Sequence, residues 1–332
     1  MESLHWVMMA AWSVEAHWVH VGTGTKSDKI NYLDYFSRMD ARYGLVAEAL
    51  FKAPSAFFAG RGAGIGGLTF KLSPATRARA MENLKLAGYD DPHLYERVGR
   101  NAGRQAMESL WVWYRPAETV LKRVHIAPEA EAMVREAVDS GRPIVFLTPH
   151  VGCFEVLPVW FAATFFARTG RGISILYRPP KVSLLRKIVG EARQAPGIQA
   201  CPTTIAGVKK MIRNLKQGHT FGALPDQVPS KGEGVWADFF GRPAYTMTLP
   251  VRVAHQFKAD RFFVWGVRSG DGWRIEAVKW DEPLTGDTEK DAEAMNRQIE
   301  AVIRRMPEQY AWSYNRYKTP AGAHPKQAGD KK

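Results

Sequence analysis

The sequence predicts an α/β protein: a mostly parallel mixed sheet flanked by helices, behind a helical N-terminal region. Three observations predict it. From Arg142 onward, short apolar runs end in proline or polar punctuation, as buried strands do: PIVFLTP, ISILYRP and HTFGALPDQ. Helical patterns near 182–194 and 204–216 separate the second run from the third, and that alternation is the pattern of βαβ units. Further on, RFFVWGVRSGDGWRIEAVKW reads as a hairpin with Gly270, Asp271 and Gly272 at its turn.

Taken in chain order, the first 22 residues are rich in Trp, Met, Val and Ala but carry Glu2, Glu15 and three histidines. They lack the basic start and small-residue cleavage site of a signal peptide, and suit an interfacial amphipathic segment. The apolar stretch 43–67 is broken by Glu48, Lys52, Pro54 and Arg61, which predicts a helix and a loop lying on a surface. No window of 18 residues is both uncharged and wholly apolar, so a full membrane span is not expected. Residues 74–122 read as helical, with PATRARAMENLKLAG opening on Pro74 and closing on Gly88. A last amphipathic helix carries Met295, Ile299, Val302 and Met306 on one stripe. The Gly-, Pro- and Lys-rich tail from Pro320 is expected to be disordered. The chain thus divides into an N-terminal membrane-interface segment (1–70), a main domain (71–320) and a tail (321–332).

With 332 residues and 45% hydrophobic content, the chain can bury a large core. Its net charge of +13 predicts attraction to anions: nucleic acid, an acidic protein, phosphorylated lipid or an anionic membrane face. Most of that charge is local. From Arg168 to Lys216 there are eleven Lys or Arg and one acidic residue, Glu191. Within this block Ile205, Val208, Met211, Ile212 and Leu215 form one helical stripe, while Lys209, Lys210, Arg213 and Lys216 occupy other faces. A solvated helix face is the bland reading; the missing acidic residues favour an anionic partner. No nucleic-acid recognition motif or stacking-aromatic signature accompanies the block. Two cysteines, Cys153 and Cys201, make neither a disulfide framework nor a metal-ligand cluster.

Some patterns point elsewhere and fail. Gly62, Gly64 and Gly67 match G-x-G-x-x-G, but no strand pattern precedes them and no clear helix follows, so a flexible loop is expected instead of a dinucleotide site. GTGTKS at 22–27 has Thr25 where a phosphate loop needs glycine. His17 and His20 have helical spacing but lack a third ligand.

The chemistry concentrates in TPHVGCFEVLP, residues 148–158. Ligands of parallel sheets sit at the carboxyl ends of the strands, and His150, Arg178 and Asp226 each follow an apolar strand by a few residues. Five residues span about 500° of helix, so His150 and Glu155 do not share a helical face. They meet if His150 lies on the loop and Glu155 near the start of the next helix. Pro149 ends the strand, Gly152 permits a tight turn, and Pro158 is tolerated in a first helical turn. Glu155 can then accept from one imidazole nitrogen while the other takes a proton from a substrate hydroxyl. Beside this stand a structural histidine at a strand end, and Cys153 as nucleophile with His150 as its base. A cysteine three residues away across a glycine turn reads more naturally as a small apolar core group.

Four boxes then carry a resemblance over roughly 75–320. PHVGCFE resembles the H-x4-E box of the lipid A biosynthesis (late) acyltransferases. LYRPPK (176–181) is similar to their Tyr-Arg-Pro box, PDQVPSKGEGVWADFFGRPAYT (225–246) to their Asp-Gln box and Phe-Phe-Gly segment, and YAWSYNRYKTP (310–320) to their closing signature. Residues 1–70 depart from the hydrophobic anchor with which members begin. The resemblance implies a glycerol-3-phosphate-acyltransferase-like fold for 71–320, an acyl-carrier-protein thioester as donor and a phosphorylated glucosamine lipid as acceptor. It implies His150 as general base with Glu155 as its partner, and Arg178, Asp226 and Gln227 in the same site. Lys209, Lys210 and Arg213 are expected to meet the acidic donor or the lipid phosphates. No metal or redox cofactor is expected, and the location implied is the cytoplasmic face of the inner membrane, peripheral or monotopic. Two rivals remain: an acyltransferase for a glycerophospholipid or ornithine-type lipid, against which Glu155 argues because glycerolipid members carry H-x4-D, and a basic nucleic-acid-binding protein.

Overall fold

The computed structural model describes residues 55–113, 115–177 and 195–324. The chain opens with α1 (Ser55–Leu72), α2 (Pro74–Leu86), α3 (Pro92–Trp113) and the short α4 (Ala117–Leu121). Then come β1 (Val124–Ile126), α5 (Pro128–Asp139), β2 (Ile144–Leu147) and α6 (Val156–Phe161), which continues through a π-helical turn to Thr169. β3 (Ile173–Tyr177), β4 (Ile198–Pro202), α7 (Ile205–Lys216) and β5 (Thr220–Ala223) follow. A two-stranded ribbon, β6 (Gly234–Phe239) with β7 (Arg242–Met247), precedes α8 (Leu249–Phe257). β8 (Asp260–Ser269), β9 (Gly272–Lys279) and α9 (Thr288–Arg305) close the fold.

Seven strands form one sheet in the order β1-β9-β8-β2-β5-β3-β4, with every neighbouring pair parallel except the β8–β9 hairpin. The mostly parallel mixed sheet flanked by helices is therefore as the sequence predicts. The three apolar runs are its central strands: β2 and β5 are buried at every residue, as strands covered on both faces must be. The hairpin turns at Gly270 and Asp271, with Ser269 opposite Gly272. In α9 the side chains of Met295, Ile299 and Val302 are buried, while Met306 lies just past its last turn. The predicted helix at 182–194 and the 325–332 part of the tail lie outside the described residues, as do the GTGTKS segment, His17 and His20.

Two expectations are corrected. The stretch up to Gly67 does not end in a loop: Gly62, Gly64 and Gly67 lie inside α1, which runs through them to Leu72. The reason is a partner helix. A Cβ on Gly62 would lie 2.6 Å from the Gly103 carbonyl oxygen, and one on Gly103 only 2.1 Å from that of Gly62. Gly66 likewise faces Gly99, so bare backbone lets α1 and α3 touch where any side chain would separate them. This helix crosses the residue-70 boundary and packs on the main domain. Among the described residues, no helix is long and apolar enough to cross a membrane.

The second correction concerns α7. Met211 and Leu215 of its stripe are buried and Val208 and Ile212 pack beside them, but Ile205 is 78% exposed. It is the first helical residue, after Thr204, whose hydroxyl caps the Gly207 N–H, and nothing among the described residues covers that turn.

Candidate active site

Register builds the site. β2 and β5 are parallel neighbours with Leu147 opposite Ala223, and Thr148 N–H still donates to Ala223 O at 2.9 Å. Three residues beyond Leu147 is His150, and three beyond Ala223 is Asp226. They arrive side by side at the carboxyl edge of the sheet, 76 residues apart in sequence.

Asp226 grips His150 twice. Its Oδ1 lies 2.7 Å from the imidazole Nδ1, and its Oδ2 accepts from the His150 backbone N–H at 2.9 Å. The carboxylate is only 2% exposed and the imidazole 15%. Burial by itself raises the Asp226 carboxyl, but the facing imidazole and the hydrogen bonds from His150 outweigh it, holding the group below its ordinary 3.8. A carboxylate cannot donate, so the neutral ring carries its proton on Nδ1 and presents a lone pair at Nε2. Gln227 meets that lone pair: its Nε2 is 3.2 Å from His150 Nε2. The Phe154 ring stands edge-on to the imidazole, with centroids 4.9 Å apart.

The loop is held from behind by a C-terminal strap. Ala311 N–H donates to His150 O at 3.1 Å and Gly152 N–H to Gln309 O at 3.0 Å. Gly152 has φ +61°, and a Cβ there would lie 2.0 Å from Gly266 O, so the turn after His150 needs glycine. The strap is anchored in turn by buried polar groups. Arg268 forks onto Glu108 at 2.7 Å and donates its backbone N–H to the Gln309 side chain at 2.9 Å. Asn83 donates to Trp312 O at 2.7 Å, and the buried Arg316 to Thr246 and the Tyr245 carbonyl. Tyr310 is buried on this strap; burial first, then the Asp226 charge, push its ionisation up.

His150, Glu155, Asp226, Gln227 and Tyr310 all line one cavity of about 300 Å³, whose wall is largely apolar and includes Leu176, Val208, Met247 and Leu249. The sequence reading paired Glu155 with an imidazole nitrogen. In the structure the carboxylate on Nδ1 is Asp226, supplied by sheet register, while Glu155 is buried at the entry of α6 and borders the same cavity. Arg178 lies outside the described residues. Tyr310 and the strap went unforeseen as site residues: the closing signature showed as a family mark, and no local spacing ties it to residue 150.

Cys153 is fully buried, its N–H bonded to Gly266 O at 2.8 Å. Burial, followed by the charges of Glu108 and Glu155, pushes the thiol well above its ordinary range, so it is not a thiolate nucleophile. Cys153→Ala is expected to keep kcat within about twofold and to cost about 1–2 kcal/mol of stability. A folded but inactive variant in a radiolabelled-acyl assay would reverse that assignment.

The basic block divides. Arg168 pairs with Asp139, and Arg171 donates to the carbonyls of Val138, Arg142 and Gly218, so both serve the fold. Lys209, Lys210, Arg213 and Lys216 are exposed on α7 and form no ion pair among the described residues. Val208 of the same helix, and Thr203 just before it, border the cavity.

Fold and site define a class: an α/β protein that presents a carboxylate-held imidazole to an apolar cavity at the carboxyl edge of a parallel sheet. The chain belongs to the bacterial lipid A biosynthesis acyltransferase family, whose model matches residues 29–319 and so reaches well upstream of residue 75. It is 25% identical over 182 residues to a lipid A biosynthesis acyltransferase of Haemophilus influenzae, covering 54% of this chain and 55% of that one. It is 26% identical over 174 residues to a phosphatidylinositol mannoside acyltransferase of Mycolicibacterium smegmatis, covering 52% and 55%. The Escherichia coli lipid A biosynthesis myristoyltransferase matches at 23% over 192 residues, covering 56% and 57%. The chain thus spans a little over half the length of these relatives.

Proposed function

We propose that this protein moves a fatty acyl chain from the thioester of acyl-carrier protein to a hydroxyl of a lipid A precursor, at the cytoplasmic face of the inner membrane. The observation that carries the reading is the His150 imidazole, fixed by Asp226 with its Nε2 toward a largely apolar cavity, in a chain of this family. The acceptor hydroxyl binds at Nε2. His150 takes its proton as the oxygen attacks the thioester carbonyl carbon. The tetrahedral intermediate collapses with cleavage of the C–S bond, and His150 returns the proton to the leaving thiolate. Asp226 holds the ring in register and stabilises the imidazolium, and Glu155 adds a second negative charge near it. The acyl chain lies along Leu176, Val208 and Met247.

Purified protein, a fatty acyl carrier thioester and a phosphorylated glucosamine disaccharide lipid test the reading. Mass spectrometry should find the acceptor heavier by one acyl group. No transfer to any hydroxylated lipid would sink it. The relative that acylates a phosphatidylinositol mannoside supports a broader reading in which another glycolipid is the acceptor, so that lipid belongs in the same panel.

The cationic face of α7, a helix whose Val208 borders the cavity, suits the acidic carrier or the acceptor phosphates. Exposed charges are screened over ~8 Å at physiological salt, so affinity should fall as salt rises. Lys209→Glu, Lys210→Glu and Arg213→Glu together leave Met211 and Leu215 in place, so folding should survive. The triple variant is expected to raise KM for donor or acceptor by about tenfold with kcat nearly unchanged. Unaltered KM values across a salt series would make this a solvated face only.

A further inference from the structure

Acyl transfer to a hydroxyl builds negative charge on the former thioester carbonyl oxygen, and a donor must meet it. Arg178, which the resemblance places in the same site, lies outside the described residues. The named neighbours of His150 are poor donors: Asp226 and Glu155 are carboxylates, and the Tyr310 phenol stands beside the Asp226 charge. One polar side chain is placed differently. Gln227 is half-buried on the cavity wall, and its carboxamide nitrogen sits 3.2 Å from His150 Nε2. That contact is the only hydrogen bond of its side chain among the described residues.

The tautomer settles which end of the carboxamide faces the ring. Asp226 keeps the proton on Nδ1, so Nε2 accepts and Gln227 must donate. An imidazole nitrogen has one in-plane lone pair, and general-base catalysis needs that lone pair for the acceptor hydroxyl. Gln227 therefore has to yield it when the hydroxyl arrives. The displaced NH2 keeps both hydrogens and remains beside the attacking oxygen, one bond from the carbonyl carbon whose oxygen is becoming negative.

We propose that Gln227 is a catalytic residue: its carboxamide caps His150 Nε2 in the free protein and, once the hydroxyl has displaced it, donates to the developing oxyanion. The inference rests on the acyl-transfer reading above. Sequence adjacency makes the arrangement compact, because consecutive residues of one loop, Asp226 and Gln227, hold the two nitrogens of the same ring. The free base is thereby shielded from solvent protons and the oxyanion donor is delivered by the same motion that admits the nucleophile.

Steady-state kinetics of Gln227→Ala, Gln227→Glu and His150→Ala, varying the carrier thioester and the lipid acceptor in turn, test it. Gln227→Ala is expected to lower kcat by ~10²–10³, the cost of losing one oxyanion donor. Both KM values should stay within about threefold, because the contact is made in the transition state. Gln227→Glu matches the native side chain in size, so it serves where alanine perturbs folding. Its carboxylate repels the oxyanion, and kcat should fall at least as far. Gln227→Ala retaining more than about one-tenth of kcat overturns the proposal. So does a raised acceptor KM with kcat preserved, which would make Gln227 a binding group. His150→Ala separates the two levels. If it remains active, the general-base reading itself falls; if it is inactive while Gln227→Ala is not, only the oxyanion role falls.

Discussion

His150→Ala is expected to lower kcat by ~10²–10⁴, the usual contribution of a positioned general base. A lipid hydroxyl is too weak an acid to attack a thioester unaided, and no other described side chain presents a neutral lone pair held in this way. The loss should appear in kcat more than in KM, because the cavity wall proposed to receive the acyl chain is untouched. The fold should persist. The backbone N–H of residue 150 still donates to Asp226, and its carbonyl still accepts from Ala311. Asp226 keeps that backbone donor but loses the ring donor, at a cost of about 1–3 kcal/mol. A thermal melt checks the fold beside the acyl-transfer assay. A folded variant with kcat within tenfold of the parent would remove His150 from the chemistry.

Asp226→Asn should cost as much, with kcat down by ~10³–10⁴, because an amide facing Nδ1 stabilises the wrong tautomer. An asparagine NH2 at 2.7 Å would draw the lone pair to Nδ1 and leave the proton on Nε2, where the substrate proton has to go. Glu155→Gln should cost less, about tenfold, since the two ring nitrogens of His150 are met by Asp226 and Gln227. The reverse order would hand the orienting role to Glu155. Stability offers a second check. The Asp226 carboxyl is held below its ordinary 3.8 in the folded state, so its ionisation stabilises the fold above that value. The contribution is lost as pH falls through the folded value. Asp226→Asn should therefore melt lower than the parent at neutral pH, and the difference should shrink as pH falls from 3.8 through the folded value.

The strands that carry the site were legible because burial on both faces writes them as unbroken apolar runs: IVFL of β2, TFGA of β5 and ISILY of β3. The β8–β9 hairpin declared itself through its Gly270-Asp271 turn, and α7 through its stripe. By contrast β6, fully buried at only two of its six residues, writes no such run, and β1 is three residues long. His150, Asp226 and Gln227 could be nominated as residues because each follows a strand within a few positions.

Their partnership could not. The sequence reading joined His150 to the nearest carboxylate in the chain, Glu155, because local spacing is all that a linear pattern offers. Tertiary structure decides otherwise on Nδ1, for a reason that lies in the sheet. β2 and β5 are neighbours with Leu147 opposite Ala223, so equal three-residue extensions bring His150 and Asp226 within 2.7 Å. The glycines of α1 show the same division. Read alone, Gly62 and Gly66 break a helix; set against Gly99 and Gly103 of α3, they allow two backbones to touch. Composition, apolar runs and turn residues are local properties, and the sequence by itself determined the fold class, the edge of the sheet where the candidate site lies and the residues present there. Pairings between residues far apart depend on strand register and helix contact, and those exist only once the chain has folded.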